Sequence, residues 1–130
     1  MKAVIIMGST ADRSFADKIT KQLKDMQIDF DEQVASAHKD PTKVLEIIQS
    51  YSNKGPIIYV TIAGRSNALS GFVAANSTFP VIACPPFNDK VDMLVNIQST
   101  LQMPSNVPVL TILDPKNCAL AVQRIAFLVK

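Results

Sequence analysis

The chain has no tryptophan, one histidine, two cysteines and four glycines in 130 residues. Cys84 and Cys118 stand far apart and lack the spacing of metal ligands, so buried free thiols in a reducing compartment are expected. Neither sign of charge is in excess: thirteen Lys and Arg face eleven Asp and Glu, for a net charge of +2. With no basic cluster, neither a nucleic acid nor a membrane surface is expected as the main partner. No apolar run approaches the length of a membrane span. The apolar stretch after Met1-Lys2 is too short for the core of a signal peptide, so a soluble, cytoplasmic protein is expected. No linker, repeat or low-complexity segment interrupts the chain. Residues 1–130 read as one domain, long enough to bury a core without disulfides or metal.

What the chain does have is short apolar runs rich in Val and Ile: Ala3 to Met7, Ile57 to Ala63, Val81 to Cys84, and Val109 to Leu113. They do not alternate, which is the pattern of strands covered on both faces in a parallel sheet. Asp29 to Ala35 is more polar and alternates in part, so it suits a strand nearer an edge.

Helical spacing fills the gaps. Phe15, Ile19, Leu23 and Met26 share one face of a helix starting near Asp12 or Arg13. Val44, Leu45, Ile48 and Tyr51 do the same after Asp40-Pro41, an N-cap followed by proline at the first helical position. Val91, Leu94, Val95, Gln98 and Leu101 make a third amphipathic stretch, and Leu120, Ile125 and Leu128 belong to a last helix. The small-residue segment Asn67 to Asn76 is suited to close packing on the sheet or on another subunit. The alternation predicts an α/β fold, a single flavodoxin-like three-layer domain around a central parallel sheet.

In such a fold ligands bind where the strands end. Gly8-Ser9-Thr10-Ala11-Asp12 follows the first strand and offers a tight turn, hydroxyls and a helix N-terminus that suit a phosphate; many loops of this kind serve only to turn. The second strand delivers Ser36, the lone His38 and Lys39. A histidine held at this edge is suited to carry a proton, although an isolated one is more often a surface residue in a polar turn. Ala63-Gly64-Arg65-Ser66-Asn67 follows the third strand, and Cys84-Pro85-Pro86 makes a stiff turn after the fourth. Thr61-Ile62-Ala63 has no aspartate, which argues against a phospho-acceptor module. A flavin site would want aromatic loop residues, but Tyr51 and Tyr59 fall in a predicted helix and strand.

Taken together, Met7-Gly8-Ser9-Thr10-Ala11-Asp12, Ser36-Ala37-His38-Lys39, Ala63-Gly64-Arg65-Ser66-Asn67, Pro80-Val81-Ile82 and Gln102-Met103-Pro104 resemble the aminoimidazole ribonucleotide (AIR) carboxylase family of purine biosynthesis. The likeness follows the family's order and spacing over almost the whole chain. Gly64-Arg65-Ser66-Asn67, Lys39 and Cys84-Pro85-Pro86 are similar to the class II branch, which uses carbon dioxide directly. The mutase branch, which rearranges N5-carboxy-AIR, typically has Gly-Gly-Ala-Ala-His in the third-strand loop.

The resemblance implies carboxylation of AIR without ATP, biotin or metal, hence no cofactor, by a cytoplasmic enzyme acting on small molecules. It implies His38 as the proton carrier. Ser9, Asp12 and Lys39 would bind the ribonucleotide, while Ser36, Gly64 and Ser66 would line the base and carboxylate end. Ala37, Ala63 and Pro85-Pro86 are candidate walls of a dry pocket. A homo-oligomer is expected, without the longer C-terminal helix of the mutase branch. Ala11 departs from the serine of many members, which shifts phosphate binding toward backbone N–H groups. The other readings are the mutase and a non-catalytic flavodoxin-like nucleotide-binding module.

Overall fold

The structure, a computed structural model, describes residues 1–129. Strands and helices alternate from end to end. β1 (Lys2–Met7) leads through a 3-10 turn at Thr10–Asp12 into α1 (Arg13–Asp25), then β2 (Asp29–Val34) and α2 (Pro41–Tyr51). β3 (Ile57–Ile62), α3 (Leu69–Asn76), β4 (Val81–Ala83), α4 (Lys90–Leu101), β5 (Leu110–Thr111) and α5 (Pro115–Leu128) complete the order. The five strands are parallel in the order β2-β1-β3-β4-β5, the flavodoxin-like arrangement.

Why the strands read as continuous apolar runs is clear from their two faces. Ile5, Met7, Ile58, Val60 and Ile62 meet Ile19 and Leu23 of α1 and Cys118 and Val122 of α5 on one side. Val4, Ile6 and Tyr59 meet Val44, Ile48 and Tyr51 of α2 and Leu69 and Val73 of α3 on the other. Both faces of β1 and β3 are dry, so neither strand can alternate with polar residues. β2 lies at the sheet edge, as its polar pattern predicts. Both expected thiols are buried and free. α2 begins as its sequence suggests, with the Asp40 side chain accepting the Lys43 N–H at 3.2 Å.

Two elements differ from their sequence pattern. β5 keeps only Leu110–Thr111 of the apolar run 109–113. Its neighbour β4 is itself short, because Pro85 and Pro86 follow and have no N–H to donate to a ladder. The helix α4 forms where its spacing places it, but faces the other way. Val91, Leu94, Val95 and Leu101 are 58–71% exposed, whereas Asn96 and Thr100 are buried. Polar partners decide this orientation: α4 turns Ser99 and Thr100 toward Asn67 and hydrogen-bonds it.

The small-residue segment becomes α3, packed on the sheet. A Cβ at Gly71 would lie 2.9 Å from Met103 Sδ, so the glycine makes room for the methionine of the Gln102-Met103-Pro104 motif. The strand order reverses direction between β1 and β3, and this positions the site. Met7 lies opposite both Val34 and Ile62, so three loops leave the sheet at one level. Gly8 N–H donates to the Ile62 carbonyl at 2.9 Å, and Ala35 N–H to the Met7 carbonyl at 2.9 Å, which extends the pairing up to the loop mouths.

Candidate functional site

The β1–α1 loop is tied by its own serine. Ser9 Oγ accepts the Ala11 N–H at 3.2 Å, and the Asp12 N–H donates to the Ser9 carbonyl at 3.1 Å. The Ala11 N–H is thereby engaged and is not a spare donor, while the Ser9 hydroxyl hydrogen remains available. Asp12 stands at the N-cap position of α1 without using its carboxylate as a cap. Partial burial pushes that carboxyl above its ordinary value, opposed by a hydrogen bond from the Ser9 backbone.

The β2–α2 loop is a closed turn. Ser36 Oγ accepts the Lys39 N–H at 3.2 Å, and the Ser36 carbonyl accepts the Asp40 N–H at 2.8 Å. This turn holds His38 and Lys39 exposed at the sheet edge, and Lys39 makes no ion pair among the described residues. His38 reaches across to the β3–α3 loop, where its Nε2 lies 3.1 Å from the Ser66 carbonyl oxygen. In that loop the Arg65–Ser66 peptide bond is cis. No atom lies within 4 Å of the place a Gly64 Cβ would occupy.

These loops enclose a cavity of about 320 Å³ lined by Ser9, Asp12, Ser36, His38 and Lys39, with Gly64 and Ser66 on the facing side. Every site residue expected from the sequence borders this one space. Ala37 and Ala63, the expected walls, line it too. A second cavity of about 450 Å³ adjoins it, sharing Asp12, Gly64 and Arg65. Pro86 borders this second space, whereas Pro85 is buried.

Sequence reasoning passed over several residues here. Arg65 borders both cavities and places its guanidinium 3.7 Å from Asp92 Oδ1. Its sequence signal is its place inside the Gly-Arg-Ser-Asn motif, which marks the branch but gives the arginine no role of its own. Asp92, Asn96, Ser99 and Thr100 carry no motif. Asp92 accepts the Asn96 side-chain N–H at 2.6 Å and the Asn88 N–H at 3.0 Å, which ties the β4–α4 loop to α4. The small concave space holds one aspartate among cationic and hydroxyl groups, so it suits a phosphorylated, hydroxyl-bearing small molecule beside a proton carrier. Among the described residues no cluster of His, Cys, Asp and Glu has the geometry to hold a metal ion. No helix among them is long and apolar enough to cross a membrane.

Known proteins share this sequence pattern and fold. The sequence model of the AIR carboxylase family matches residues 2–129. A phosphoribosylaminoimidazole carboxylase of Archaeoglobus fulgidus is 53% identical over 125 residues, covering 96% of this chain and 68% of that protein. One of Treponema denticola is 42% identical over 123 residues, covering 94% of this chain and 77% of its own length. The crystal structure of Treponema denticola PurE superposes with a TM-score of 0.91 at 41% identity, over 99% of this chain and 82% of that one. A family match along nearly the whole sequence, together with a superposition over nearly the whole fold, leaves one conclusion: the chain belongs to the AIR carboxylase family.

Proposed function

We propose that this protein carboxylates 5-aminoimidazole ribonucleotide with carbon dioxide, giving 4-carboxy-5-aminoimidazole ribonucleotide without ATP, biotin or metal. The observation that carries the reading is the convergence of His38, Ser36, Lys39, Ser9, Asp12, Gly64 and Ser66 on one cavity. Two relatives at 53% and 42% identity bear the name of this activity, which supports the substrate.

AIR is an enamine, and its amino group drives electron density onto the adjacent ring carbon. That carbon attacks carbon dioxide and afterwards bears both a hydrogen and the new carboxylate. His38 removes the hydrogen and restores the aromatic ring; a general base of this kind contributes on the order of a hundred- to ten-thousand-fold. Ser9 and Lys39 hold the phosphate through hydroxyl and ammonium groups, with Asp12 on a ribose hydroxyl. Ser36, Gly64 and Ser66 border the base and its carboxylate. Apolar Ala37 and Ala63 keep that end dry, where carbon dioxide is held against the ring.

The exposed stripe of Val91, Leu94, Val95 and Leu101 supports a homo-oligomer in which α4 is covered by another copy. Two buried free cysteines suit a reducing cytoplasm. The test is turnover of AIR with bicarbonate-derived carbon dioxide in the absence of ATP, run beside N5-carboxy-AIR. Carboxylation that rises with dissolved carbon dioxide, with no direct use of the carbamate, is the expected result. Conversion of the carbamate alone would make the protein a mutase. Light scattering on a chromatographic column tests the oligomer, and a single-chain mass would refute it.

A further inference from the structure

Ser99 lies on α4, outside every motif that marks the site, yet it touches the peptide unit on which His38 rests. The Asn67 N–H donates to Ser99 Oγ at 2.8 Å, and the Ser99 hydroxyl in turn donates to the Asn96 carbonyl at 3.2 Å. The carbonyl of that same planar peptide unit belongs to Ser66, and its oxygen lies 3.1 Å from His38 Nε2. One rigid plane therefore carries Ser99 at its N–H and His38 at its C=O. Asn67 steadies the plane from its side chain, whose amide donates to Ser70 Oγ at 2.8 Å and to Thr100 Oγ1 at 3.0 Å. Asn67 and Thr100 are 5% and 1% exposed, so water does not compete for these bonds.

A carbonyl oxygen only accepts, so Nε2 carries the proton in this contact. In a neutral imidazole the lone pair then lies on Nδ1, which has no hydrogen-bond partner among the described residues. An N–H that donates to Ser99 also polarises its own carbonyl and strengthens it as an acceptor for His38.

We infer that Ser99 is a positioning residue: through the Ser66–Asn67 peptide it holds neutral His38 as the Nε2–H tautomer, leaving Nδ1 to exchange the proton with the substrate's ring carbon. The inference rests on the proposed role of His38 in AIR carboxylation. In the forward direction the ring carbon forms a bond to carbon dioxide, whose C=O π electrons move onto oxygen, and the amino group becomes an iminium. Nδ1 then takes the ring-carbon proton. The C–H electron pair re-forms the ring double bond and neutralises the iminium, and His38 becomes an imidazolium with Nε2–H still on Ser66. In reverse, Nδ1–H returns the proton and carbon dioxide departs.

Because the chain has a single histidine, nitrogen-15 spectra of the intact protein report one imidazole ring. At alkaline pH the wild type is expected to show a pyrrole-type Nε2 and a pyridine-type Nδ1, with no second tautomer. Ser99→Ala is expected to give a mixture of tautomers and a kcat lower by about fivefold at unchanged KM, the scale of one neutral hydrogen bond. Ser99→Thr keeps the hydroxyl and restores both. An Nδ1–H ring or a tautomer mixture in the wild type overturns the inference, and that measurement needs no variant to fold. A single unchanged tautomer in Ser99→Ala, whatever its kcat, overturns the role of Ser99. A wild type that fails to turn over AIR but shows the Nε2–H ring would refute the proposed function and leave the tautomer assignment standing.

Discussion

Ser36 Oγ accepts the Lys39 N–H at 3.2 Å, so the turn presenting His38 is closed by the residue that opens it. A serine used this way replaces a backbone turn contact with a side-chain one. Ser36→Ala removes the acceptor and is expected to cost about 1 kcal/mol of stability. Because the same hydroxyl borders the cavity, turnover should fall further than stability does. Urea denaturation beside steady-state kinetics compares the two losses.

His38 stands exposed and packs against nothing in the core. His38→Asn is therefore expected to fold normally and to bind the ribonucleotide, with turnover lowered by about a hundred- to ten-thousand-fold for loss of the proton carrier. Circular dichroism, calorimetric titration and the AIR assay check the three parts separately. Wild-type turnover by the variant would remove His38 from the chemistry.

At Gly64 an added Cβ meets no atom within 4 Å, and the residue borders both cavities. Gly64→Ala should leave the melting temperature within about 2 °C, as expected where no contact is lost. If the proposed substrate occupies these cavities, the added methyl group crowds it, so kcat/KM is expected to drop by about tenfold or more. A wild-type kcat/KM would show that substrate does not approach this backbone.

For Asp12, burial raises the folded-state pKa above the usual 3.8. The charged carboxylate thus costs stability at neutral pH, and the penalty is relieved as pH falls through the folded pKa. Asp12→Asn is expected to be more stable than the wild type at neutral pH, with the gap closing on acidification. Loss of a charge-assisted bond to the ligand should raise KM by about tenfold or more. Urea midpoints across pH, measured with KM, separate the structural cost of Asp12 from its binding role.

Asp31 behaves in the opposite sense at the far end of the sheet. The Tyr51 hydroxyl donates to it at 2.6 Å and Lys2 Nζ at 3.0 Å, and these two contacts, in that order, hold its carboxyl below the usual 3.8. A lowered folded pKa contributes stability above about pH 4 and loses it as pH falls through the folded value. Asp31→Asn should therefore be less stable at neutral pH and should show a shallower acid limb than the wild type. Its kcat/KM for AIR should be unchanged, because neither Asp31 nor Tyr51 borders the site cavity. A matching acid limb in the two proteins would refute the ion-pair account.

The layered fold and the site loops were legible in the chain because both rest on local patterns. Two dry faces force continuous Val and Ile runs in β1 and β3, and Asp40-Pro41 starts α2 by its own chemistry. Strand alternation then carries Ser9, His38 and Ser66 to one edge, since parallel strands all end on the same side. Tertiary structure decided which way α4 turns. Spacing shows that Val91, Leu94 and Leu101 share a face, but the hydrogen bonds of Ser99 and Thr100 to Asn67 turn that face outward. It also decided that His38 meets a carbonyl 28 residues away, and that Arg65 pairs with Asp92. Periodicity and caps are properties of neighbours in sequence, whereas these contacts join loops that only the packed sheet brings together.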